Sequence, residues 1–191
     1  MNKRRGNRDR SKRGRKIIAY IATSADGFIA RPDGGVEWLD RPSPKGHYGY
    51  AAFFKSIDTI LWGRKTYDMG IEMGMKAAGF GPEIRNYVFT RSPGLPKPAG
   101  LTVEFVNEPI EPFAEKLRAQ PGKNIWMMGG GEIIGSFLDA GAIDEFSIHV
   151  IPVMIGEGIP LVGPRHRLVK LKLLSTKKFP DGVVHLKYRV T

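Results

Sequence analysis

Between Asn124 and Leu138 the chain reads Asn-Ile-Trp-Met-Met-Gly-Gly-Gly-Glu-Ile-Ile-Gly-Ser-Phe-Leu. An apolar run, Ile125 to Met128, leads into three glycines. Ile133, Ile134, Phe137 and Leu138 then recur at helical spacing. The pattern predicts strand, glycine turn, helix. Glycine lets the backbone come close to a ligand and take angles that a side chain forbids. The N–H groups and positive dipole end of the helix would then face an anion such as a diphosphate. A tight turn without any ligand uses the same residues, so this motif alone leaves both readings open. It is not the Gly-x-Gly-x-x-Gly dinucleotide fingerprint, because Ile134 stands where the third glycine would be. It is not a P-loop, because no Gly-Lys-Ser/Thr follows.

Two further strand-to-helix junctions extend the pattern. Thr59 to Trp62 reads as a buried strand and runs into Gly63-Arg64-Lys65-Thr66-Tyr67, which opens a short helix. Cations and a hydroxyl at a helix start suit a phosphate, or form a solvated turn. Tyr87 to Thr90 reads as a third strand, with Arg91 and Ser92 at its end. Residues 15–24 are apolar on both faces, as in a central strand covered on both sides. The turn-rich stretch from Asp26-Gly27 to Asp33-Gly34-Gly35 follows, with Trp38 beyond it. It reads as a loop over a pocket with Asp26 at its base, or as an Asx-turn. Residues 46–56 read as a short helix, Leu101 to Val106 as a strand, and Ile110 to Leu117 as a helix.

The C-terminal third changes character. Ile143 to Val153 is a long strand with Phe146, Ile148 and Val150 on one face and Ser147, His149 and Ile151 on the other. Val169, Leu171 and Leu173 alternate with lysines. Pro180-Asp181-Gly182 is a hairpin turn, and Val184 to Val190 alternates again. Strand–helix alternation ending in antiparallel strands predicts one α/β domain. Its central sheet is mixed and mainly parallel, flanked by helices and closed by a C-terminal antiparallel hairpin.

Composition narrows the chemistry. With 191 residues the chain can bury one sizeable core. The absence of cysteine excludes disulfides, thiol catalysis and Cys-ligated zinc. His47, His149, His166 and His185 are scattered, so no metal site is expected. No run is long and apolar enough for a membrane helix, and no secretory signal is present, so cytoplasm is the expected compartment. Net charge is +11, of which residues 1–16 carry +8. Residues 1–14 therefore read as a disordered basic tail ahead of a domain at 15–191. The tail suits weak nucleic-acid contact, a solubilising extension, or a start codon placed too far upstream.

Five segments in this order resemble the dihydrofolate reductase fold family. The resemblance is to the branch with the pyrimidine reductase domain of riboflavin biosynthesis. They are 24–30 (Ser-Ala-Asp-Gly-Phe-Ile-Ala), 60–67 (Ile-Leu-Trp-Gly-Arg-Lys-Thr-Tyr), 89–92 (Phe-Thr-Arg-Ser), 128–134 (Met-Gly-Gly-Gly-Glu-Ile-Ile), and 143–146 (Ile-Asp-Glu-Phe) with 151–161 (Ile-Pro-Val-Met-Ile-Gly-Glu-Gly-Ile-Pro-Leu). The resemblance implies a reductase that transfers hydride from NADPH to a small heterocyclic or carbonyl substrate. Met128 to Ile134 (Met128, Gly129, Gly130, Gly131, Glu132, Ile133, Ile134) would hold the diphosphate, with a cis peptide between two glycines. Gly63, Arg64, Lys65 and Thr66 would hold the phosphates from the other side. Thr90 and Arg91 would flank the adenosine. Arg64 and Arg91 would be available to a 2′-phosphate, an arginine fork being suited to that group. Ala22 and Ile29 would lie against the nicotinamide.

Asp26, Trp38, Tyr50, Phe54 and His149 would bound the substrate, and Asp26 or His149 could relay a proton. Tyr50 falls where true dihydrofolate reductases carry their folate-anchoring carboxylate, which puts folate reduction in doubt. A specific diaminopyrimidine reductase of riboflavin biosynthesis is an alternative. So is a nucleic-acid-associated protein that has lost turnover. Relatives in this branch are commonly dimers, and the apolar faces of the last strands could supply that interface or, by default, pack under the domain's own helices.

Overall fold

The computed structural model describes residues 14–42, 47–74, 81–92 and 102–191. The expected basic tail, at residues 1–14, falls almost wholly outside the described residues. Among these residues, ten strands and four α-helices follow in the order β1 (Ile17–Ser24), β2 (Phe28–Ala30), α1 (Tyr50–Lys55), β3 (Ile57–Gly63), α2 (Arg64–Glu72), β4 (Arg85–Phe89), β5 (Thr102–Val106), α3 (Ile110–Ala119), β6 (Asn124–Gly129), α4 (Gly131–Asp139), β7 (Glu145–Ile151), β8 (Ile159–Pro160), β9 (Leu171–Lys178) and β10 (Val184–Val190). Eight strands form one sheet in the order β5-β4-β3-β6-β1-β7-β10-β9. The first six of these pair in parallel. The β7–β10 and β10–β9 pairs are antiparallel. This is the mixed, mainly parallel sheet with a C-terminal hairpin that the chain's patterning predicts.

Alternation along the central strands sends side chains to two separate cores. Ile17 and Ala19 of β1, with Ile125 and Met127 of β6, pack under α3 and α4 against Phe113, Leu117, Ile134 and Phe137. Tyr20 and Trp126 face the other way, toward Tyr50, Phe53 and Phe54 of α1 and Tyr67 of α2. Both faces of β1 and β6 are thus covered, and their near-continuous apolar sequence follows from that.

Neighbouring strands β3 and β6 lead into helices on opposite faces of the sheet: α2 joins the α1 side and α4 the α3 side. The connections leaving their paired carboxyl ends therefore diverge, with a crevice between them. Such a switch point is where open α/β sheets take ligands.

The alternating leucines near the C-terminus do not mark a buried face. They begin the edge strand β9, where Leu171 is 45% and Leu173 51% exposed. A small second sheet, β2 with β8, was not legible in sequence, because two or three residues carry no usable period.

Candidate functional site

Both sides of the crevice are built by glycines that exclude side chains. A Cβ at Gly63 would lie 3.2 Å from Ile133 Cγ2 and 3.4 Å from both Gly129 O and Gly130 N. A Cβ at Gly130 would lie 3.0 Å from Thr66 Oγ1. The ends of β3 and β6 therefore meet backbone to backbone, with Thr66 between them. Gly129 has φ of 121°, a conformation that disfavours any side chain, and the Gly129–Gly130 peptide is cis. Gly131 has a different task. Its Cβ would come within 2.2 Å of Pro160 O, and its carbonyl accepts from Gly163 N at 2.9 Å. It is the glycine that lets the β8 segment pack against the start of α4.

Helices α2 and α4 both begin at a glycine N-cap, and neither has a side-chain cap. Their first-turn N–H groups have no partner within the helix. Two such termini beside this glycine-lined crevice suit a diphosphate. Thr90 and Arg91 follow the end of β4, next to β3. Arg91 and Lys65 are exposed. Arg64 is placed differently from expectation. It pairs with Asp68 one turn on, at 2.7 and 2.6 Å, and lies over the Phe105 ring. Glu132 points outward, 79% exposed, with Arg165 3.7 Å away. Its place in the site is therefore its backbone.

A cavity of about 330 Å³ opens on the α1 side of the sheet. Tyr20 and Ala22 of β1, Trp126 and Met128 of β6, and His149 and Ile151 of β7 form its floor. Tyr50, Tyr48, His47, Leu39 and Arg41 form its walls. No carboxylate is among these lining residues. Tyr20 stacks on Phe53 at 4.0 Å, and Trp126 meets Tyr50 edge-on at 6.0 Å. Burial pushes the Tyr20 phenol up to about 12 and raises that of Tyr50. Both hydroxyls stay protonated at neutral pH.

His149 is 4% exposed and lies 3.3 Å, through Nε2, from the Tyr48 carbonyl. Burial, then the neighbouring His185, lowers its pKa to about 4. The imidazole is therefore neutral at pH 7, and its Nε2–H donates to Tyr48 O. Tyr48 itself adopts a left-handed backbone (φ 57°), uncommon for a bulky residue. Its hydroxyl donates to Asp181, so both ends of Tyr48 are tied down.

Three expected substrate residues sit elsewhere. Asp26 is not in the cavity. Its exposed carboxylate accepts from Ile155 N and Gly156 N, at 2.8 Å from the latter. Hydrogen bonds from Ser24 and these amides hold its pKa low. It fastens a turn, which makes it a poor proton donor. Trp38 packs behind the cavity against the cluster of Ile151, Phe179 and Val183. Phe54 supports Tyr50 from behind at 5.8 Å. Ile29 lies beside the glycine turn, its Cδ1 4.0 Å from a Cβ placed on Gly130. Tyr20 and Trp126 are not among the expected residues, yet they stand two residues before Ala22 and Met128 on the same strand faces. Period-two counting finds them. Arg41, His47 and Tyr48 lie in an aperiodic stretch that offers no such signal.

The family model for the RibD C-terminal domain matches residues 15–185. The chain belongs to the RibD C-terminal domain family. The uncharacterized protein YwjB of Bacillus subtilis (strain 168) is 40% identical over 170 residues, 88% of this chain and 95% of the relative. A protein of Shewanella sp. PV-4, named provisionally for riboflavin biosynthesis, superposes with a TM-score of 0.78 at 25% identity. That match covers 92% of this chain and 99% of the other. Dihydrofolate reductase from Enterococcus faecalis, complexed with NADP(H), shares the fold at a TM-score of 0.64 and 16% identity, covering 94% and 98% of the two chains. This RibD C-terminal domain thus has a reductase fold related to riboflavin biosynthesis. Among the described residues, no helix is long and apolar enough to cross a membrane.

Proposed function

We propose that this protein is an NADPH-dependent reductase of a small heterocyclic or carbonyl compound. The observation that carries the reading is the meeting of Gly63 and Thr66 with Gly129–Gly130 between two uncapped helix starts. Backbone N–H groups at 64–66 and 131–133 would hold the diphosphate. Thr90 and Arg91 would flank the adenosine, with Arg91 on the 2′-phosphate. Ala22, Ile29 and Met128 would lie against the nicotinamide.

When bound, that cofactor supplies a hydride to an electron-poor carbon, and the protein positions the partners. The cavity walls exclude water and fix a flat substrate against Tyr20, Tyr50 and Trp126. The protonated Tyr50 hydroxyl is suited to hydrogen-bond a substrate oxygen or ring nitrogen. His149, neutral and donating to Tyr48 O, shapes the wall and carries no charge to relay.

A diaminopyrimidine reductase is the second reading, favoured by the family match. Calorimetric titration with NADPH, with NADH beside it, tests the main one. Binding of NADPH, weaker NADH, and loss of the difference in Arg91→Ala are expected. Failure of both cofactors to bind would reduce the glycine crevice to a packing device.

A further inference from the structure

Among the described residues the cavity is lined by one guanidinium, and it is already matched. Arg41 Nη2 donates to the Asp181 carbonyl at 2.9 Å and lies 3.6 Å from Asp181 Oδ2. Tyr48 donates its hydroxyl to that same Oδ2. Asp181 also accepts from Val183 N through Oδ1, which fastens it to the β9–β10 turn. Arg41 and Tyr48 are lining residues of the cavity, and Asp181 stands behind them. With no carboxylate among the lining residues, the cation and its counter-ion cancel.

The rest of the described lining is aromatic or aliphatic, apart from His47 and the neutral His149. An anion entering such a site gives up its hydration and meets a guanidinium whose charge is already compensated. Burying a charge without a dedicated partner is costly. A flat uncharged ring loses little and gains the aromatic faces.

We propose that Asp181 is a specificity-determining residue that reserves this pocket for uncharged planar heterocycles and turns away phosphorylated or carboxylated ones. The inference rests on the α1-side cavity being the substrate pocket of the reductase proposed above. It also separates the two readings above, because a phosphoribosyl pyrimidine is an anion.

The test uses the full chain without cofactor and two fluorescent probes of one ring system, lumazine and lumazine-6-carboxylate. Lumazine should bind, and the carboxylate should bind at least about tenfold more weakly, as expected for one poorly compensated charge near a protein surface. Asp181→Asn keeps an oxygen for Tyr48 and Val183 but frees Arg41. It should raise the carboxylate-to-lumazine affinity ratio about tenfold. Arg41→Met leaves Asp181 bare and should lower the same ratio. A merely structural role would move both probes together in both variants. Equal or tighter binding of the carboxylate by the native protein would overturn the proposal. So would an unchanged ratio in Asp181→Asn, or binding of neither probe. Cofactor binding is read separately, so failure of the NADPH titration leaves these outcomes distinct.

Discussion

His149 and His185 lie face to face, ring centroids 4.3 Å apart and 2° from parallel, as directly paired residues of β7 and β10. Burial lowers both pKa values; His185 lowers that of His149 further, and Lys187 and Lys177 that of His185. Ser147 bonds the His185 Nε2 at 2.7 Å. An unfolded histidine takes its proton near pH 6.5, whereas His149 in the fold takes it only near 4. Between those values the unfolded chain binds more protons, so stability falls as pH drops from about 6.5 and is fully lost to this term below about 4. The loss should be on the order of 2–3 kcal/mol. Urea melts at pH 7.5, 5.5 and 4.5 measure it, and His149→Phe should flatten the dependence in that interval.

The glycines of the β6–α4 turn should separate by task. Gly131→Ala places a methyl group 2.2 Å from Pro160 O and should destabilise the fold by about 1–3 kcal/mol. Gly130→Ala meets the Thr66 hydroxyl at 3.0 Å and Ile29 Cδ1 at an ordinary 4.0 Å. It should melt closer to the native protein yet weaken NADPH by at least about tenfold, the equivalent of ~1.4 kcal/mol. Thermal melts and cofactor titrations on the two variants check this.

Phe137 is fully buried and meets Phe89 edge-on at 5.1 Å, beneath the sheet and away from the cavity. Phe137→Ala should cost about 3–5 kcal/mol of stability. Denaturant unfolding measures it, and NADPH affinity of the folded fraction should be little changed.

Leu171 and Leu173 are half exposed on β9, which is the last strand of the sheet among the described residues. We propose that this edge is where two copies of the chain meet. Light scattering should give a dimer mass for the native protein and a monomer for Leu171→Glu with Leu173→Glu. A native monomer would remove the proposal.

The sequence alone determined what is local or periodic. Apolar runs around Ile17, Ile60 and Ile125 specified buried parallel strands, because strands covered on both faces leave few polar positions. The glycines at 63 and 129–131 marked the ends of β3 and β6, because Gly129 holds a positive φ and a Cβ at Gly63, Gly130 or Gly131 would crowd its neighbours. Tertiary structure alone decided which of those glycines faces a crevice and which faces Pro160, since both tasks demand the same missing side chain. It also decided the charge of the pocket. Arg41 and Asp181 are 140 residues apart, and nothing local to either predicts that the return of β10 beside β7 sets one against the other. Asp26 shows the converse: an Asp-Gly step looks alike in an active site and in a fastened turn, and only the position of the Ile155 and Gly156 amides distinguishes them.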